Sequence, residues 1–235
     1  MIYSKKFGFL YIAIPKTGTV STQNELLKLD RNSENHSITL DDRVIRGNDL
    51  RKGVLGHARA KEIKEVVGDS FFNNLNTFTI VRDPFHKLVS AYFYRKRNKI
   101  IDNKQKSGSI KLIFNKFKHA FSVILAKSLP FYIWVFIYPY RSNSSYIFDD
   151  KGKRLVKYIG RTEYLESDLK AIISHLGLNP SQLSIKKLNT SKHDEPQKYY
   201  QKRLFKKLIS LKLKKDLFLY RQVTEEMEKL HAINK

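Results

Sequence analysis

Phe7-Gly8-Phe9-Leu10-Tyr11-Ile12-Ala13-Ile14-Pro15-Lys16-Thr17-Gly18-Thr19-Val20-Ser21-Thr22 is the stretch that decides how this chain reads. Phe7 to Ile14 is a continuous apolar run, the pattern of a strand buried on both faces, as in a parallel sheet. Pro15 to Thr19 is turn-forming, and a helical pattern follows through Leu26 and Leu27. Strand, tight polar turn and helix come in that order. Free backbone N–H groups at a helix start, with a glycine beside them, make a cradle for phosphate or sulfate. Lys16 adds a mobile positive charge, and Thr17, Thr19, Ser21 and Thr22 add hydroxyls. The turn is not a nucleotide-triphosphate loop of the form GxxxxGK[ST], because the lysine precedes the glycine and the first glycine is missing.

A second unit of the same kind follows. Thr77-Phe78-Thr79-Ile80-Val81 is an apolar, β-branched strand, and Arg82-Asp83-Pro84-Phe85-His86-Lys87-Leu88-Val89-Ser90-Ala91-Tyr92 turns it into a helix. Asp83 can cap that helix and Pro84 suits its first turn. Arg82 stands at the C-terminal end of a strand, where open α/β sheets bind ligands. An Arg at that point and a Ser two turns into the helix, Ser90, can hold a dianionic phosphate between them, the Arg as a bidentate fork. No acidic residue ends this strand to hold Mg²⁺, which disfavours ATP-driven phosphoryl transfer.

The rest of the chain reads more coarsely. Residues 30–50 look like a loop, Val54 to Ala58 like a strand end, and Lys61 to Val67 like a helix. Tyr146-Ile147-Phe148 and Val156 to Gly160 read as late strands. Leu165, Leu169, Ile172, Ile173 and Leu176 have helical spacing, closed by Gly177 and Pro180. Pro196 is expected to open a helix with Tyr200, Leu204, Phe205, Leu208 and Ile209 on its inner face, and a last helix covers about 213–232. Leu129 to Tyr140 (LPFYIWVFIYPY) is apolar and aromatic, and Lys127 is the only charge between Ala120 and Tyr140. That run is short of the ~20 residues needed to span a bilayer. It reads as a buried helix or strand, with contact to a membrane surface as the other reading. Strands alternating with helices predict one α/β domain over 1–235: a P-loop-like parallel sheet flanked by helices. Residues 109–140 would form an acceptor-side helical and aromatic segment, and 196–232 the C-terminal helices.

Composition narrows the function. The 235 residues include 45 Lys or Arg against 22 Asp or Glu, a net charge of +23. The absence of cysteine excludes a disulfide scaffold, a Cys-ligated zinc site and thiol catalysis. With 41% hydrophobic and 12% aromatic residues the chain is not a disordered basic tail. The opening MIYSKKFGFLYIAI shows no signal-peptide pattern. The charge is concentrated: residues 95–127 and 186–215 carry +9 each. Such a charge calls for an anionic partner. A non-enzymatic nucleic-acid or acidic-polysaccharide binding protein would account for it, but would leave the two ordered turns without a purpose.

Those turns resemble a known family. PKTGTVS after the first strand resembles the 5′-phosphosulfate loop of sulfotransferases, and RDPFHKLVSAY resembles their 3′-phosphate-binding motif. The likeness is nearest to carbohydrate sulfotransferases, typified by heparan sulfate 2-O-sulfotransferase and the chondroitin sulfotransferases. It continues through Gly56-His57, Tyr158 to Leu169, and Leu188-Asn189-Thr190-Ser191. The resemblance implies 3′-phosphoadenosine-5′-phosphosulfate as sulfuryl donor, 3′,5′-adenosine bisphosphate as product, and no metal. By position, Lys16 would hold the 5′-phosphosulfate and stabilise the bridging oxygen as the S–O bond breaks. Thr17, Gly18, Thr19 and Ser21 would cradle the same group, Arg82 and Ser90 would bind the 3′-phosphate, and Thr190, Ser191 and Lys192 would lie in a late loop closing over the nucleotide. His57 would be the general base that takes the proton of the attacking sugar hydroxyl, with His86 as its rival. The implied acceptor is a sugar hydroxyl of a polysaccharide, lipopolysaccharide or lipid-linked glycan, and no nucleic-acid partner is expected. Family members of the Golgi carry a transmembrane anchor and often cysteines. This chain shows neither, which predicts a bacterial-type, soluble, cytoplasmic enzyme, with peripheral contact at the inner face of the membrane left open. Segment 109–140 holds one histidine, His119, and lacks the Gln often found there, so the resemblance does not extend to the identity of the acceptor.

Overall fold

The computed structural model describes residues 1–35, 37–40, 43–45, 57–98, 120–185 and 195–233. Gly56, Thr190, Ser191 and Lys192 lie outside the described residues, as do 99–119 of the first basic segment and 186–194 of the second. In chain order the first elements are β1 (Ile2–Ser4), β2 (Phe9–Ile12), α1 (Thr19–Leu29), β3 (Glu34–Asn35), β4 (Ile38–Leu40), β5 (Arg43–Ile45), α2 (Ala60–Val67), α3 (Asp69–Asn74), β6 (Asn76–Val81) and α4 (Pro84–Arg97). Then follow α5 over residues 120–128, α6 (Phe131–Ile137), α7 (Ser144–Ile147), β7 (Tyr158–Arg161), α8 (Leu165–His175) and α9 (Arg203–Ile233). The chain divides into two compact units, one of Met1–Pro84, Arg141–Asn189 and Leu213–Lys235, the other of Phe85–Tyr140 and Thr190–Lys212.

The first unit holds an α/β sheet in the order β3-β1-β2-β6-β7. β2, β6 and β7 are parallel, with Tyr11 opposite Phe78 and Ile80 opposite Gly160. β1 runs antiparallel to both β2 and β3, so the sheet is mixed and not wholly parallel as the sequence suggested. The reason is local. Only residues 5–8 join β1 to β2, and a connection that short permits a hairpin but no parallel crossover. All four residues of β2 are buried, as the continuous apolar run requires. The region read as a loop, 30–50, contains β3 and the β4–β5 hairpin, which pairs Ile38 with Ile45. Of Tyr146-Ile147-Phe148, expected as a strand, the first two belong to α7, whose first N–H groups are held by a buried carboxylate described below, and Phe148 after it is extended and makes an isolated antiparallel bridge with Arg154.

α8 buries Leu169, Ile172 and Ile173, the positions its spacing selected. It lies close to β7 because residue 160 is glycine. A Cβ there would come within 2.8 Å of Ile80 Cδ1 and 3.1 Å of Asp168 Cβ. The fully buried Asp168 accepts from Arg161 N (2.8 Å), Nε (2.8 Å) and Nη2 (3.0 Å), and lies 2.8 Å from His231 Nε2 on α9. β7, α8 and the end of α9 are therefore joined at one carboxylate.

The second unit is helical and aromatic. Tyr92 of α4 meets Phe131 and Trp134 of α6 with ring centroids 5.5 and 5.2 Å apart, and its hydroxyl donates to Leu129 O at 2.8 Å. α6 buries Phe131, Trp134 and Val135 on one side only. Pro196 opens a short 3-10 turn to Tyr200, and the two C-terminal helices expected from the sequence are one continuous α9 of 31 residues. Ile209 is buried on it, whereas Leu204 and Leu208, expected to face inward, are exposed.

Candidate active site

β2 ends at Ile12 and α1 starts at Thr19, so residues 13–18 make the turn. Three of its carbonyls are engaged by side chains. Ala13 O is 3.0 Å from His57 Nδ1. Ile14 O accepts from Thr17 Oγ1 at 2.9 Å and Thr19 Oγ1 at 2.8 Å. Lys16 O accepts from Arg82 Nη1 at 3.4 Å. The N–H groups of Thr17, Gly18 and Thr19, by contrast, make no hydrogen bond among the described residues. They stand at the positive end of α1. Lys16 and Gly18 have φ of 71° and 74°, with Thr17 between them at negative φ. Alternation of that kind curls successive N–H groups inward into an anion-binding concavity. Lys16 is the one described non-glycine residue at positive φ, and that conformation costs a side-chain-bearing residue roughly 1–2 kcal/mol. Strain of this kind gathers at functional sites.

The threonine hydroxyls have a different task from the one their sequence suggested. The Thr17 and Thr19 protons go to Ile14 O, and Thr22 Oγ1 donates to Gly18 O at 3.1 Å. They brace the turn, and its free N–H groups are left as the donors. Ser21 is buried on α1.

His57 sits just before α2, tied to the end of β2. A carbonyl can only accept, so the hydrogen bond to Ala13 puts the ring proton on Nδ1 and leaves Nε2 as an acceptor. Partial burial pushes the imidazole below its ordinary value of 6.5; the positive charge of Arg141 acts in the same direction and the bond to Ala13 opposes it. The residue keeps an exposed surface. A neutral imidazole with an accessible Nε2 is the form a general base needs.

Arg82 leaves the end of β6. Its Nε is buried without a hydrogen-bond partner and lies 3.9 Å from Glu163 Oε1. Burial works against the guanidinium charge, and Glu163 and Asp83 support it. Glu163 also accepts from Tyr220 Oη at 2.8 Å and, more weakly, from the Asp83 N–H at 3.3 Å. Asn143 Nδ2 donates to Arg82 O at 3.0 Å. Asn143 is itself fixed by the buried Asp216 of α9, which accepts from Asn143 N (2.6 Å), Ser144 N (2.9 Å) and Ser144 Oγ (2.9 Å). Glu163, Asn143, Asp216 and Tyr220 escaped the sequence reading. Glu163 lies within Tyr158 to Leu169, but nothing local marks the other three, whose partners are more than 50 residues away.

The structure thus brings Lys16, Thr17, Gly18, Thr19, His57 and Arg82 together at the ends of β2 and β6. Ser90 and His86 lie on α4 in the second unit, where Ser90 is buried. Among the described residues no group of His, Asp or Glu is placed to hold a metal ion. No helix among them is long and apolar enough to cross a membrane.

A parallel sheet segment with a turn of unpartnered N–H groups at its C-terminal edge, and an imidazole beside it, is the place where open α/β folds bind their ligands. A family profile described as "Sulfotransferase family" matches residues 1–235, and the chain belongs to that family. It is accordingly an enzyme of sulfuryl transfer. No curated protein and no solved structure matched the chain.

Proposed function

We propose that the chain moves a sulfuryl group from 3′-phosphoadenosine-5′-phosphosulfate to a sugar hydroxyl of a polysaccharide or lipid-linked glycan. The observation that carries this reading is the hydrogen bond from His57 Nδ1 to Ala13 O, which ties a base to the strand end whose turn can hold an anion. The turn's residues fit such a donor: three N–H groups without partners, a glycine at positive φ, and an orphaned buried Arg82 Nε. When bound, the donor supplies an activated sulfuryl group on a phosphate leaving group.

The N–H groups of Thr17, Gly18 and Thr19 would hold the 5′ end of that donor, and Lys16 would neutralise charge gathering on the bridging oxygen. Arg82 would take a second phosphate. His57 Nε2 would accept the proton of the acceptor hydroxyl, raising the nucleophilicity of its oxygen. Ser90 and the late-loop residues Thr190, Ser191 and Lys192 keep the roles that the resemblance gives them. The test is sulfuryl transfer from labelled donor to a panel of polysaccharides and lipid-linked sugars. His57→Ala and Lys16→Ala should each lower turnover by at least roughly a hundredfold, the scale of a general base or a charge stabiliser. Wild-type turnover in both would overturn the assignment.

A further inference from the structure

α6 is apolar all round. Phe131, Trp134 and Val135 face inward, while Tyr132, Ile133, Phe136 and Ile137 on the other side are 60, 41, 51 and 52% exposed. Residues 128–140 contain no charged side chain. A helix of that kind is normally covered on every side.

The exposed side of α6 runs on into the start of α9. Phe136 meets Phe205 at 6.0 Å between ring centroids, and Lys212 Nζ donates to Val135 O (2.6 Å) and Tyr138 O (2.9 Å). One turn around α9, Leu204, Leu208 and Leu211 form an i, i+4, i+7 stripe, 71, 46 and 66% exposed. All of these residues belong to the second unit.

The flanking charge has one sign. Lys202, Arg203, Lys206 and Lys207 are exposed, and no Asp or Glu occurs from Pro196 to Lys215. We propose that this face docks on an anionic lipid bilayer surface, with the α6 and α9 apolar side chains entering the boundary between headgroups and acyl chains and the cations meeting lipid phosphates. An apolar face with Lys and Arg at its margin is the pattern of a helix lying in the membrane interface. A second copy of the chain fits less well, because self-pairing would bring these cations against one another. Nucleic acid would leave the apolar side chains without a partner. The proposal does not rest on the donor reading.

The experiment is flotation of the full chain with vesicles of phosphatidylcholine alone and of phosphatidylcholine with phosphatidylglycerol. The wild type floats with the anionic vesicles only. Ile133→Ser/Ile137→Ser lowers the partition at least roughly tenfold. Lys206→Gln/Lys207→Gln lowers it about fivefold per charge. Emission of the single tryptophan, Trp134, buried on the inner side of α6, should match the wild type in both variants and so separates lost docking from lost folding. Three results would overturn the proposal: no flotation with anionic vesicles, equal flotation with neutral ones, or undiminished flotation of the isoleucine variant. A dimer abolished by the isoleucine variant, with no vesicle binding, would assign the face to a second copy instead. Unchanged 3′,5′-adenosine bisphosphate affinity in both variants keeps any such failure distinct from failure of the donor reading.

Discussion

At the scale of single residues, the account turns on which nitrogen of His57 is free. Nδ1 is committed to Ala13 O, so in the proposed reaction proton abstraction would fall to Nε2, which can act only while the ring is neutral. Burial, helped by Arg141, lowers the imidazole pKa from 6.5. The sign follows directly. Protonation removes the base as pH falls, so kcat/KM should be level at neutral pH and drop through a midpoint below 6.5. A pH profile of sulfuryl transfer checks this, and an acid limb centred at or above 6.5 would be inconsistent with the environment of His57. Lys16 complements it: its positive φ shapes the turn, and in the proposed reaction its ammonium would offset the charge on the leaving oxygen.

At the scale of elements, Arg82 is held in place through a buried carboxylate on α9. Asp216 holds the first N–H groups of α7 and, through Asn143, the carbonyl of Arg82. Asp216→Ala would leave the Asn143 and Ser144 N–H groups without their acceptor and should cost about 1–3 kcal/mol per unsatisfied buried group. The urea unfolding midpoint should fall accordingly; an unchanged midpoint would show that α7 does not depend on this cap. The two strand–turn–helix units were legible in the sequence because β2 is an unbroken apolar run and β6 mixes threonine with apolar, β-branched residues, each ending in a polar turn. β1, β3 and the β4–β5 hairpin were not, since strands of two or three residues are too short to display a period. Tyr146-Ile147-Phe148 suited strand and helix alike, and the deciding group, Asp216, stands 70 residues further on. Lys16 and Arg82 could be picked out because each follows a strand end, whereas His57 was marked by the family resemblance. The carbonyls that hold His57 and Arg82, and the use of the Thr17 and Thr19 hydroxyls as braces, required coordinates. Leu204 and Leu208 were misread because apolar spacing gives a stripe without saying what covers it.

At the scale of the whole molecule, the +23 charge and the anion-binding turn are separate features. The turn gains its character from backbone N–H groups and two cations, Lys16 and Arg82, in the first unit. Arg203, Lys206, Lys207 and Lys212 put four further cations on exposed positions at the start of α9 in the second, where they border apolar surface. Charge alone would have suggested nucleic acid, whereas the sulfotransferase family and the strand-end site point to sulfuryl transfer. In the proposed reaction the turn from Pro15 to Thr22, with Arg82, binds an adenosine carrying 3′ and 5′ phosphate groups. Calorimetric titration with 3′,5′-adenosine bisphosphate, beside ATP without and with Mg²⁺, tests it most directly. The bisphosphate should bind one site per chain and more tightly than ATP, and Lys16→Ala and Arg82→Ala should each weaken it by roughly tenfold or more, the loss of a charge-assisted contact. Tighter binding of ATP, or bisphosphate binding unchanged in both variants, would contradict the account.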